Sequence, residues 1–85
     1  MKVTRFNLYR DGGTIEITTD EGIYCVDGRI KSITKGKFFA GYPLPDNSNI
    51  VVDSKNLEFK IIEALKNYND EFFSQTIQYF IASRT

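Results

Sequence analysis

The first half of the chain alternates apolar and polar residues in short runs that are separated by turn residues. VTRFNLYR, TIEITT, IYCV and RIKSI each alternate with a period of two, which is typical of strands that bury one face. DGG, DEG and DG stand between these runs, and pairs such as Asp-Gly and Gly-Gly favour tight β-hairpins. The pattern therefore predicts an antiparallel β-meander over residues 3–33.

The lengths of the turns decide which residues share a face of this meander, because a slip of one residue moves every side chain to the other face. A two-residue turn, at 11–12 or at 12–13, keeps Leu8 opposite an isoleucine of the next strand. We assign three residues to the turn at 20–22 and two residues to the turn at 27–28. These registers predict one inward apolar face formed by Phe6, Leu8, Ile15, Ile17, Ile23, Cys25 and Ile30.

The alternation is weaker between residues 34 and 52. TKGK offers a further turn, and residues 37–42 are predicted to form a fifth, shorter strand. Residues 41–49, with the sequence GYPLPDNSN, are predicted to form a loop, because proline donates no hydrogen bond to a sheet. Residues 50–52 are predicted to form a short strand that re-enters the sheet.

The last third of the chain changes to a helical period. Asp53 or Ser54 is predicted to cap a helix whose apolar stripe consists of Leu57, Ile61, Ala64, Leu65 and Tyr68. Asn69 or Asp70 is predicted to cap a second helix, with a stripe formed by Phe73, Ile77, Phe80 and Ile81. Because the connection between them is short, the two helices should run antiparallel.

These elements predict a single α+β domain over residues 1–85. An antiparallel β-meander of four to six strands, in residues 1–52, is followed by a C-terminal two-helix hairpin, in residues 53–84. The hairpin is expected to pack on one face of the sheet, since an amphipathic helix must bury its stripe against another layer.

Composition argues against most kinds of chemistry. The chain has no histidine, which is the commonest general base and metal ligand. Its aspartates fall in turns or at helix starts, where turn formation and capping explain them. Cys25 is the only cysteine and lies on the predicted inward face, where a lone cysteine behaves as a small hydrophobe. We therefore expect a protein that is not an enzyme, with no catalytic residue, metal or cofactor.

Charge and hydropathy restrict the surroundings of the protein. Eleven basic and eleven acidic residues cancel, so the chain has no overall field that would attract nucleic acid or anionic lipid. No apolar run approaches the length of a membrane span, and MKVTRFNLYRD lacks the apolar centre of a signal peptide. With one cysteine the chain forms no internal disulfide. We expect a cytoplasmic protein that makes no membrane contact.

The segment KFFAGYPLP concentrates aromatic residues beside the only two prolines. Rigid aromatic loops supply binding area at low entropic cost, which makes this segment a candidate contact for a protein partner or for a second copy. The alternative is that the segment closes one end of the core. Tyr42, between Gly41 and Pro43, is expected to project outward. The candidate partner contacts are Phe38, Phe39, Tyr42 and Leu44.

The two helices raise the same possibility, since they carry more apolar side chains than one sheet face can cover. Some of these side chains should meet each other, and some should meet a second chain. The side chains in excess are Phe59, Ile62, Phe72, Tyr79 and Ile81.

The outer face of the sheet offers an alternative function. Basic residues interleaved with tyrosines can neutralise phosphates and stack on bases, although the same residues can simply keep an antiparallel sheet soluble. The candidate nucleic-acid contacts are Arg5, Tyr9, Tyr24, Arg29, Lys31, Lys35 and Lys37. We favour a small non-enzymatic binding module acting through protein contacts, as an adaptor, an inhibitor or an oligomer-forming accessory protein, with nucleic-acid binding as the alternative.

Overall fold

Four strands follow one another along the chain, and each pairs antiparallel with the next. The computed structural model describes residues 1–9, 14–27, 32–36, 38–39, 42–43, 50–51 and 55–84. In these described residues, the four strands of the meander are β1 (Val3–Leu8), β2 (Thr14–Thr19), β3 (Gly22–Asp27) and β4 (Ser32–Gly36). The predicted antiparallel meander is therefore confirmed, with four full strands rather than as many as six.

Beyond the meander, the described residues contain three strands of two residues each, in the region where two further strands were predicted. β5 (Phe38–Phe39) and β6 (Tyr42–Pro43) pair with each other in a separate ladder, with Phe39 opposite Tyr42. The predicted fifth strand over 37–42 is thus wrong, because the chain pairs with itself on either side of 40–41. β7 (Ile50–Val51) does return to the sheet, where it pairs with β4 in the order β1-β2-β3-β4-β7.

Two helices follow the strands and contact the sheet. α1 (Lys55–Lys66) and α2 (Ser74–Arg84) place Ile61, Leu65, Ile77 and Phe80 in one apolar core with residues of β1 to β4. The Arg84 guanidinium at the end of α2 donates to the carboxylate of Glu58 in the first turn of α1, at 3.1 Å. The helices therefore run antiparallel, as predicted. Among the described residues, neither helix combines the length and the apolar character that crossing a membrane requires.

The register of the first hairpin matches one of the two predicted alternatives. Leu8 pairs with Ile15 and Phe6 pairs with Ile17, as expected from a two-residue turn at 11–12. Leu8 nevertheless is 38% exposed, so its predicted place in the buried face is wrong. A β-bulge between Val3 and Arg5 shifts the strand by one residue, so that Val3 also faces the core and is buried.

The register of the second hairpin is one residue away from the prediction. Thr19 pairs with Gly22, which leaves two residues in the turn instead of three, and Ile17 lies opposite Tyr24 rather than Cys25. The whole of β3 is consequently inverted, since side chains alternate between faces. Tyr24 and Val26 are buried in the core, whereas the prediction placed Ile23 and Cys25 there.

The third turn, in contrast, is longer than predicted. Val26 pairs with Ile33, and Asp27 pairs with Ser32, so four residues connect β3 to β4 rather than two. Ile33 is therefore buried in β4. The predicted turn TKGK is wrong, since residues 34–36 belong to this strand and pair with β3. Ile30, which was predicted to face inward, lies outside the described residues. Cys25 is buried as predicted, but on the face of the sheet that points away from the helices.

Asp70 begins the second helix in the way that an N-cap does. Its carboxylate accepts hydrogen bonds from the backbone N–H groups of Phe72 and Phe73, at 2.9 and 3.0 Å, and the Tyr68 hydroxyl donates to it at 3.0 Å. The carbonyl of Phe73 then accepts the N–H of Ile77. Of the two predicted caps, Asp70 is confirmed. The predicted caps of α1, Asp53 and Ser54, lie outside the described residues.

We expect Asp70→Ala to lower the melting temperature at pH 7, and we expect this difference to shrink in acid. The backbone N–H of Phe73 is the main cause that lowers the pKa of Asp70 below its ordinary value of 3.8, and Tyr68 and Phe72 add to it. Because the folded pKa is the lower one, the stabilisation by the carboxylate is complete above about pH 4 and is lost as the pH falls through the folded pKa.

Melting curves of both proteins between pH 7 and pH 2 test this expectation. Asp70→Asn is the matched control, since asparagine caps helices well but does not titrate. It should retain most of the melting temperature at pH 7 and should not show the acid-dependent part of the difference. An alanine variant that melts with the parent at pH 7 would contradict the capping role.

Candidate protein-binding surface

Three large aromatic side chains remain exposed on the helical layer. Phe72 is 85% exposed, Tyr79 is 78% exposed and Phe59 is 57% exposed. Of the five helical side chains predicted to be in excess, Ile62 is buried, and Ile81 is half-buried against the core. The side chains of this group that the core leaves exposed are therefore the three aromatic ones.

Phe72 lies in the turn that precedes α2, and Tyr79 lies within α2. In this turn the N–H groups of Phe72 and Phe73 donate to the Asp70 carboxylate, and a helical backbone bond joins the N–H of Ile77 to the carbonyl of Phe73, one residue after Phe72. The helical period of α2, extended back through this turn, places positions 72 and 79 on one side, because seven residues correspond to about two turns and about 10 Å. We call this side the α2 face. It consists of residues that recur every three or four positions: Phe72, Gln75, Thr76, Tyr79 and Ser83.

The exposed ring of Phe72 is held in place from below. It meets the ring of Phe73 edge-on, with centroids 4.7 Å apart, and Phe73 in turn lies 5.6 Å from Phe6 of the core. Such tilted and edge-to-face contacts are favourable arrangements for aromatic pairs. Phe72 thus presents its surface to solvent from a supported position, which reduces the entropy that a partner would have to remove.

The α2 face carries no charge. Residues 72–83 contain no aspartate, glutamate, lysine or arginine. The one charged residue of α2, Arg84, keeps only 7% of its side chain exposed, because it pairs with Glu58 and lies over the Phe80 ring. Exposed helix faces of globular proteins normally carry charged residues, whereas the centres of protein interfaces are depleted of them.

The exposed face of α1 differs in this respect. It carries Lys55, Lys60, Glu63 and Lys66, all of them exposed, and Lys66 pairs with Glu63 at 3.0 Å. Phe59 lies among these charges, beside an open groove of about 340 Å³ that is lined by Met1, Phe59, Lys60, Glu63, Ala64 and Asn67. A partner that covered Phe59 would also have to cover charged groups, which is costly.

The carboxylate of Glu21 forms ion pairs with two groups near this groove. Glu21 pairs with the α-amino group of Met1 at 3.2 Å and with Lys60 at 3.4 Å. The amino group, followed by Lys60, lowers the pKa of Glu21. Glu21 and Lys60 are both exposed, so their ion pair contributes little to stability, whereas the Met1 side chain is buried.

The aromatic patch predicted in the middle of the chain falls mostly outside what the structure describes. Leu44 lies outside the described residues, and so do the side chains of Phe38, Phe39 and Tyr42. Their backbones show that Tyr42 pairs with Phe39 in a short ladder, which corrects the predicted loop at 42–43.

The predicted nucleic-acid contacts do not share one surface. Tyr24 is 3% exposed and belongs to the core, so its ring is not available to stack on a base. Lys35 lies opposite Tyr24, and its ammonium group is 5.7 Å from the centre of that ring, on the core side of the sheet. Arg5 and Tyr9 remain on the outer face, and Arg29, Lys31 and Lys37 lie outside the described residues.

An acidic group occupies the centre of the outer face. Glu16 lies opposite Asn7 and Cys25, is itself buried, and accepts a hydrogen bond from the Tyr9 hydroxyl at 3.1 Å. Burial raises the pKa of Tyr9, and the bond to Glu16 raises it further. A buried carboxylate beside Tyr9 does not favour the approach of a phosphate.

Comparisons with known proteins add no relative to this description. No family model matches the chain, and no curated protein or solved structure matches it significantly. Within the described residues, no three histidine, cysteine, aspartate or glutamate side chains come together in a group that could hold a metal ion.

The aromatic residues of the α2 face can be named from the sequence, but their arrangement cannot. Phe72 and Tyr79 could be named as excess because the helical stripe was already filled by Phe73, Ile77 and Phe80. The signal that could have distinguished this face is the run of twelve uncharged residues from Phe72 to Ser83. Composition totals hide that run, because they average over the whole chain.

Proposed function

We propose that this protein is a small non-enzymatic binding module that recognises another protein chain through the α2 face. The observation that carries this proposal is the pair of exposed rings, Phe72 and Tyr79, within the uncharged segment 72–83. Aromatic residues are enriched and charged residues are depleted at the centres of protein interfaces, and the α2 face has both properties.

The energetics support the same conclusion. Each exposed ring can bury about 150–250 Å² in a complex, and tyrosine in particular combines an apolar ring with a hydroxyl that can find a partner. Anchors of this kind, surrounded by neutral contacts, often account for most of the energy of an interface. Gln75, Thr76 and Ser83 provide such neutral surroundings.

Nucleic-acid binding has less support from the described residues. Its predicted surface loses Tyr24 to the core, and Glu16 lies in the middle of what remains. We therefore assign the proposed binding to the helical layer and not to the sheet.

Position-specific photocrosslinking in the native host tests the proposal. A photoreactive phenylalanine analogue at position 79 or 72 should give a discrete adduct, because these side chains would lie at the centre of the contact. The same analogue at Lys66, an exposed position on the charged face of α1, is the matched control and should give none. Adducts that are absent at 72 and 79, or equally strong at 66, would contradict the proposal.

A further inference from the structure

We propose that the partner of the α2 face is the α2 face of a second copy, packed antiparallel about a twofold axis. This inference rests on the proposed function and specifies its partner. It starts from the chemistry of the side chains on that face, which can pair with themselves.

Hydrogen bonding makes the α2 face self-complementary. The glutamine amide and the threonine, tyrosine and serine hydroxyls each contain both a donor and an acceptor, so each can bond to an identical group. A lysine or a glutamate repels its own copy, and α1 exposes both of these residue types. The described helices thus offer one exposed face that a second copy can cover without placing like charges together.

The charge of the whole chain permits the same contact. Eleven basic and eleven acidic residues leave no net charge, so two copies do not repel each other at long range. Proteins with near-zero net charge associate more readily than strongly charged ones.

The positions of the two rings specify the geometry. In a twofold contact, if residue i meets residue j, then j meets i. An axis that passes between Gln75 and Thr76 brings Phe72 of each copy against Tyr79 of the other. Both exposed rings of both copies are then covered, and the neutral polar residues lie at the centre.

The proposed contact is small for a protein interface. The eleven residues of α2 span about 16 Å, and a single pair of helices of this length falls at the small end of protein interfaces. We therefore expect a dimer with a dissociation constant in the micromolar range rather than the nanomolar range.

Sedimentation velocity over a concentration series of the purified full chain tests the proposal. The parent should pass from monomer to dimer as the concentration rises through the micromolar range. Phe72→Glu and Tyr79→Lys should each weaken the dimer at least tenfold, and both should retain the parent melting curve because the replaced rings are exposed. Phe59→Glu, at an exposed aromatic on the other helix, is the matched control and should dimerise like the parent.

Mixing the two variants tests the antiparallel arrangement. A 1:1 mixture of Phe72→Glu and Tyr79→Lys should form a heterodimer. At one end of the contact the new carboxylate at position 72 meets the new ammonium group at position 79 of the other copy, and at the other end the original tyrosine still meets the original phenylalanine. Failure of the mixture to recover would overturn this geometry, and a dimer that neither variant weakens would overturn the location.

The two experiments distinguish failure of the proposed dimer from failure of the proposed function. A parent that stays monomeric at every concentration, together with adducts to a different protein at positions 72 and 79, would overturn the second copy as partner and would leave the proposed function standing. A monomeric parent without any adduct would overturn both.

Discussion

Ile17→Asp is expected to abolish cooperative folding. Ile17 is fully buried, and it lies between Phe6 of β1 and Tyr24 of β3 at the centre of the core face. A carboxylate at this place would have no charged partner, and burying an unpaired charge costs several kcal/mol. The stability of a domain of this size is only about 4–13 kcal/mol, so the substitution removes most or all of it.

Circular dichroism and thermal melting of the variant provide the measurement. Thr18→Asp is the matched control, since Thr18 is the next residue along β2, points to the other face and lies opposite Arg5. The control should melt cooperatively, because the new carboxylate can pair with the guanidinium. If Ile17→Asp instead melted cooperatively near the parent temperature, Ile17 could not occupy the centre of the core.

Tyr24→Ala is expected to have the second-largest effect, with a loss of about 3–5 kcal/mol in the free energy of unfolding. The ring of Tyr24 is 3% exposed and packs with the core residues of β2 and the helices, so truncation leaves a large cavity. Lys35, whose ammonium group lies 5.7 Å from the ring, loses its contact as well.

Chemical denaturation of Tyr24→Ala beside Ile23→Ala tests the register of the second hairpin directly. Ile23 is half-buried on the opposite face, so its truncation should cost only about 1 kcal/mol. The alternative register, with Ile23 and Cys25 in the core, requires the opposite order of the two losses. A larger loss for Ile23→Ala would therefore overturn the register described here.

The local pattern was sufficient for the first hairpin and for the helices. In β1 and β2 one face is clearly more apolar than the other. Pairing Phe6 and Leu8 of β1 with Ile15 and Ile17 of β2 therefore allows only a few lengths for the turn between the two strands. In the helices the spacing of Ile61, Leu65, Ile77 and Phe80 specifies the buried stripe, because residues three or four apart share a face.

The same pattern could not decide β3. Residues 23–26 are Ile, Tyr, Cys and Val, and either set of alternate residues can fill a core. The turn does not settle the question, since 20–22 is compatible with two or three residues and Gly22 accepts a positive φ in either case. Only packing distinguishes the two sets, because the buried side chains must fill the space beneath Ile61 and Leu65.

The sequence by itself determined the first three strands, the two helices, and the order of an antiparallel meander followed by a helical pair, but not the strand bounds between residues 29 and 43. These properties depend on residues close together in the chain, whose periodicity and turn chemistry act locally. The tertiary structure decided the face of β3, the burial of Tyr24 and Cys25 on opposite sides, and the exposure of Phe72 and Tyr79 together. These properties depend on how much room the helices leave above the sheet, and that room is set by contacts between residues that are distant in sequence.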